Sequence, residues 1–204
     1  MFYARTVCVA SLLGAAALPA QAIELTDLSG VVASASSCYL GCGNAQYDAG
    51  NILDGDYGAT GNTGLNAWNA GGYAGYVQVN LGNVYVLERI ELYGGYPYEN
   101  NFSLAVSSDG SNWATIYSGT YQDAPGLTHD GVNYPGHAKY GAVVNVVDIN
   151  AQYVRYSASS AQWAYLYEMD VQGHAVTAVP EPETWAMLLA GLGLVGFAAR
   201  RQSK

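Results

Sequence analysis

The chemistry-bearing residues of this 204-residue chain are few, and their spacing says more than their number. Cys38 and Cys42 form a C-x-x-x-C pair with no histidine close by in the sequence. Structural zinc needs four ligands, so a local disulfide formed in an oxidising compartment is the preferred reading. Reduced thiols stay open as the alternative, because so tight a loop tests disulfide geometry. His129, His137 and His174 lack zinc-motif spacing. Serines are plentiful, but no Gly-x-Ser-x-Gly elbow accompanies them. Fourteen carboxylates between residues 23 and 178 guarantee that some acidic pair exists, so no pair by itself argues for glycoside hydrolysis. The expectation is a protein that binds and does not catalyse. A flat aromatic beside a few polar groups suits a sugar ring, which has one apolar face and many hydroxyls. Loop aromatics of this kind are Tyr73, Tyr96, Tyr98, Tyr134 and Trp163, with polar neighbours Asn100, Asn101, His129, Asn133, His137 and Gln162. Trp113, Tyr153, Tyr156 and Tyr167 fall on expected strands and read as core, and Trp163 admits that reading too.

The elements that must position these residues lie between two specialised ends. Arg5, an apolar run over residues 7–18, Pro19 and Ala20-Gln21-Ala22 have the order of a secretory leader, with signal peptidase cleavage expected after Ala22. Such a run is short for a membrane span. At the other end, Val179-Pro180-Glu181-Pro182 precedes an apolar stretch at 184–199 and then Arg200 and Arg201. As a helix that stretch is about 24 Å long against a hydrocarbon core of ~30 Å. It is expected as a short transmembrane helix with a basic cytoplasmic end at 200–204. Gly191, Gly193 and Gly196 satisfy G-x-G-x-x-G, but no βαβ unit follows, so they read as small residues of a membrane helix.

Residues 23–176 remain as one domain. Residues 23–178 carry three basic side chains (Arg89, Lys139, Arg155) against the fourteen carboxylates, a net charge of −11. That repels phosphate backbones and excludes nucleic acid as a partner. Helical periodicity is absent, and short apolar–polar alternation bounded by Gly, Asn and Asp predicts strands. They fall at 31–36, 76–81, 86–93, 102–107, 113–117, 142–147, 152–157 and 165–171. Asp109-Gly110 is a hairpin turn. In the last strand Tyr167, Met169 and Val171 are expected to point inward, and Glu168 and Asp170 outward. Segments 58–75 and 119–141 read as long loops. About eight strands in one domain predict an all-β sandwich.

Two resemblances attach to these residues. The 177–204 segment, with its motif, apolar stretch and basic end in that order, resembles the PEP-CTERM sorting signal of Gram-negative bacteria. The resemblance implies an inner-membrane tail removed by an exosortase, then delivery to the cell surface or exterior; a permanent anchor is the alternative. The ordered set Asn51-Ile52-Leu53-Asp54-Gly55-Asp56, Trp68, 76–82, 90–92, 102–113, 153–156 and 168–171 resembles the discoidin, or coagulation factor 5/8 type C, family, which includes the family 32 carbohydrate-binding modules. It implies a galactose-binding-like jelly roll whose end loops bind a glycan, such as an extracellular polysaccharide. The alternative is a structural or adhesive matrix protein without a specific ligand. The resemblance also implies a structural Ca²⁺ held by Asp54, Asp56, Thr60, Glu168 and the Ile52 carbonyl. An insertion before Trp68 makes Thr63 and Asn66 rivals to Thr60, and an ordinary acidic turn is the competing reading.

Overall fold

A computed structural model describes residues 21–59, 66–94, 101–121, 136–137, 141–159, 163–176 and 182–202. Within these the domain is built of strands. They are β1 (Ile23–Glu24), β2 (Val32–Ala35), β3 (Gly58–Ala59), β4 (Trp68–Asn69), β5 (Ala74–Gly94), β6 (Asn101–Ser107), β7 (Ala114–Thr120), β8 (Gly136–His137), β9 (Gly141–Ser159) and β10 (Tyr165–Ala175), with a 3-10 turn at Ala49–Leu53 and a C-terminal helix α1 (Pro182–Gln202).

One antiparallel ribbon organises the rest. β5 and β9 pair from Ala74↔Ser159 to Tyr93↔Gly141, with a register break between Asn80 and Tyr85. Below the break, residues 77–80 of β5 pair β2, and residues 153–159 of β9 pair β6, which pairs β7. Above it, the second half of β5 pairs β10, and β10 carries β1 on its other side. The same two strands therefore serve two layers. Sequence patterning predicts 76–81 and 86–93 as separate strands, and 142–147 and 152–157 likewise; each pair is instead one strand turning a corner. Gly82 takes φ +81 there while donating its N–H to the Asn80 side chain, and Asp148 takes φ +50 in β9. Such local kinks let a ladder bend between layers without ending.

The core follows the two-residue period of strands. Val77, Val79 and Leu81 join Leu87, Ile90 and Leu92 from β5, Phe102, Leu104 and Val106 from β6, and Val154, Tyr156 and Ala158 from β9 in one buried cluster. Trp68 is fully buried and meets Tyr156 edge-on at 6.2 Å between ring centroids. Of the four aromatics expected inside, only Tyr156 is; Trp113, Tyr153 and Tyr167 are partly exposed. For Trp113 the reason is visible on the outer face: the Arg155 guanidinium lies over its ring and over that of Tyr76, 3.7 and 4.3 Å from their centroids, so these two rings cover a cation.

The tail differs from expectation in extent and character. α1 opens on Pro182, whose missing N–H costs nothing at a helix start, and closes on Arg200 and Arg201, which suit the negative C-terminal end. No described helix is long and apolar enough to cross a membrane. Three glycines dilute the apolar run, and Glu183, Arg200 and Arg201 bound it.

Candidate functional site

Three segments converge at the end of the sandwich where β10 begins. The first follows β2 and contains the Cys38–Cys42 disulfide. The second spans β4 and the turn to β5, and the third is Trp163-Ala164. Trp68 joins the first two: buried, it sends its indole N–H to the Ser37 carbonyl at 3.0 Å. The Ser37 hydroxyl donates to the Ala70 carbonyl, and the Tyr39 N–H to the Asn69 carbonyl at 2.7 Å. Ala70 and Ala164 attach the third segment, through Ala70 N–H to Ala164 O and Ala164 N–H to Gly72 O. These bonds hold up an aromatic cluster. The Tyr39 ring meets Trp163 at 5.5 Å and Tyr47 at 5.2 Å, both edge-on. Trp163 is 48% exposed and Tyr39 37%, while Tyr73 stands 65% exposed in the adjoining turn. Rings fixed by backbone bonds, yet open to solvent, form a candidate binding platform.

Of the aromatics proposed from sequence, Trp163 and Tyr73 thus lie on adjoining segments, and Trp163 is not core. Tyr39 and Tyr47 were not anticipated. The available signal was position: Tyr39 directly follows Cys38, inside a loop that a disulfide would rigidify. Tyr96, Tyr98, His129, Asn133, Tyr134, Asn100 and Gln162 lie outside the described residues. The backbone of His137 does not approach the platform segments by pairing; in β8 it pairs Gly58, next to the acidic loop.

That loop is the second cluster. Asp54 accepts the Asp56 N–H at 2.8 Å, and Asp56 accepts the Gly58 N–H and the Asn66 amide. Glu168 reaches in from β10 and accepts the Gly55 N–H at 3.0 Å. The outward orientation expected for Glu168 is incorrect: it is 3% exposed. A register shift between Leu166 and Glu168 breaks the simple alternation, turning Glu168 inward and leaving Tyr167 half-exposed over Gly58. Burial, reinforced by the charges of Asp170 and Asp54, pushes the Glu168 carboxyl up to about 8 despite the Gly55 bond. Burial and then the Glu24 and Glu91 carboxylates raise Asp170 to about 7, and burial also raises Asp54.

An all-oxygen donor set around a buried, protonation-prone carboxylate is chemically suited to a hard cation. The carboxylates are not gathered into one tight shell, however. Among the described residues, the only three His, Cys, Asp or Glu side chains with ligand atoms all within 4.8 Å are Cys38, Cys42 and Asp48. Both sulfurs there are committed to the disulfide. Ile52 is fully buried in the 3-10 turn, and Thr60 and Thr63 lie outside the described residues.

The F5/8 type C domain model matches residues 32–169, more than half of the chain. The chain belongs to the F5/8 type C domain family. A second model, the PEP-CTERM protein-sorting motif, matches residues 178–202; Val179, Pro180 and Glu181 lie outside the described residues, and Pro182 begins α1. Among curated proteins none matches the chain. Solved structures share the jelly-roll fold at low identity. Chitosan-binding module 1 from a Paenibacillus chitosanase/glucanase, in a selenomethionine-labelled mutant, is 22% identical with a TM-score of 0.52, over 74% of this chain and 98% of that one. The family 32 carbohydrate-binding module of Clostridium perfringens NanJ, solved with galactose, is 16% identical with a TM-score of 0.52, over 74% and 99%. Another C. perfringens family 32 module, solved with GalNAc-β-1,3-galactose, is 19% identical with a TM-score of 0.50, over 69% and 94%. In this F5/8 type C domain the matched span contains Tyr39, Tyr47, Tyr73, Trp163, the acidic loop and Glu168.

Proposed function

We propose that the protein is an exported, non-catalytic carbohydrate-binding protein whose ligand rests on the Tyr39–Trp163 platform. The observation that carries this is the exposure of both rings while the loops beneath them are tied to each other by backbone bonds. The solved modules of similar fold with galactose and GalNAc-β-1,3-galactose support the ligand class. The domain's net charge of −11 disfavours polyanionic glycans and leaves neutral or amino sugars. The tail is the address: processing by an exosortase, after leader removal, would place the domain at the cell surface or outside the cell. Asp54, Asp56, Glu168 and the Ile52 carbonyl, with Thr60, would hold a structural Ca²⁺. The ion would supply the positive charge that the buried Glu168 lacks, so it would stabilise the loop and take no part in chemistry.

A glycan array probed with the full chain, with and without calcium, tests the reading. Selective binding to neutral or amino-sugar glycans is the expected result. Uniformly flat arrays under both conditions would sink it and leave an adhesive or scaffolding role in the matrix.

A further inference from the structure

We propose that the Cys38–Cys42 disulfide positions Tyr39 in the platform, so that oxidation after export completes the binding site. This rests on the carbohydrate reading above. The bridge encloses only Tyr39, Leu40 and Gly41, which puts one platform ring inside the smallest covalent loop of the domain. The backbone through that loop is unusual: Leu40 has φ +62 and Gly41 +95, and Gly43 just beyond the bridge +99. A leucine in the left-handed region is disfavoured unless something holds it there. Its side chain is 68% exposed, so packing does not; what closes the turn is the Gly41 N–H to Cys38 carbonyl bond at 3.0 Å together with the covalent bridge. Cys38 is part-buried against the core cluster, whereas Cys42 is exposed. The disulfide is the covalent strap that, alongside this turn bond, returns the chain from Leu40 to the fixed wall of the site. On that wall the Tyr39 backbone is seated close to Gly71, where a Cβ would come within 3.3 Å of the Tyr39 Cα.

With the strap open, only the Gly41 N–H to Cys38 carbonyl bond, among the described residues, opposes departure of Leu40 from its left-handed conformation. The Tyr39 ring then loses the constraint that keeps it against Tyr47 and Trp163. Formation is balanced: the Cys38 and Cys42 thiols give up two protons and two electrons to a disulfide-bearing thiol oxidase of the exporting compartment, which becomes a dithiol. Exposed Cys42 offers the sulfur for that exchange.

The test reduces the full chain in detergent micelles with dithiothreitol, which is itself oxidised to its cyclic disulfide. Two readouts follow in the wild type and in Tyr39→Ala. One is retention on immobilised galactose, GalNAc-β-1,3-galactose and chitosan; the other is the indole N–H resonance of Trp163, assigned with Trp163→Phe. Reduction, or the double variant Cys38→Ser/Cys42→Ser, is expected to weaken retention about 10-fold and to shift the Trp163 resonance. In Tyr39→Ala neither treatment should have a further effect, because the ring through which the bridge acts is gone. A Trp163 resonance that stays put on reduction would overturn the proposal even if no glycan is retained. Losses from reduction and from Tyr39→Ala that simply add would overturn it too, by showing that the bridge supports the fold generally. Failure of the oxidised wild type to bind any glycan is a separate result, and counts against the carbohydrate reading alone.

Discussion

At the scale of single residues, the most consequential group is a carboxyl held away from water. Glu168 titrates near 8 and Asp170 near 7 in the fold, against ordinary values of 4.5 and 3.8. Both bind their proton more tightly folded than unfolded. Their contribution to stability is thus complete below about pH 4 and is lost as pH rises through 7 and 8. Without divalent cations, thermal unfolding at pH 8 should occur at lower temperature than at pH 5, by a free energy on the order of a few kcal/mol. Calcium should reverse the loss at pH 8 and do little at pH 5, and Glu168→Gln should abolish the calcium response and reduce the pH response to the part that Asp170 contributes. A melting temperature indifferent to calcium at pH 8 would refute the cation assignment. Gly58 offers a second residue-level check. It has φ +75, and a Cβ there would sit 3.0 Å from the Tyr167 ring. Gly58→Ala should cost roughly 1–3 kcal/mol in denaturant unfolding. Glu168 could be singled out from sequence by the resemblance of its segment to a known family. Its burial could not, since a register shift reverses the alternation that a period-two reading assumes.

At the scale of elements, the β5–β9 ribbon shows what alternation can and cannot report. The apolar positions of 76–81, 86–93 and 102–107 mark strands correctly, because burial on one face needs every second residue. They do not reveal that two segments form one strand. The corner between them contains Gly82 and Asn83, which in sequence look like an ordinary turn. Gly173 pins β10 to this ribbon: a Cβ there would lie 2.3 Å from the Val86 carbonyl oxygen and 3.1 Å from Leu25. Backbone cannot yield as a flexible side chain can. Gly173→Ala should therefore be among the most damaging single substitutions, costing several kcal/mol. Circular dichroism melts and the yield of folded protein would reveal it; a wild-type melting temperature would contradict the packing.

At the scale of the whole molecule, β10 separates the candidate platform from the flanking segments. It begins beside Trp163 and ends at Ala175, eleven residues on, or roughly 35 Å of extended chain. β1 pairs its far half, Ile23 opposite Gly173, so Ile23 and Ala175, the two ends of the strand-built domain, both lie away from the platform. Removal of residues 177–204 should then leave glycan retention unchanged within about twofold, which a column assay can check; a large loss would show that the tail takes part in binding. This separation was legible in outline, because the ends differ so sharply in composition from the acidic middle. The candidate site was legible only in part. Tyr73 and Trp163 stand out as loop aromatics, but Tyr39 joins Trp163 across more than a hundred residues, through bonds made by backbone groups that every residue possesses. The proposed glycan binding rests on that juxtaposition, so its most direct test is the affinity of Trp163→Ala, beside wild type, for the glycan that binds best. The prediction is a loss of tenfold or more with the melting temperature unchanged within a few degrees. Undiminished affinity in that folded variant would contradict the platform as the binding site.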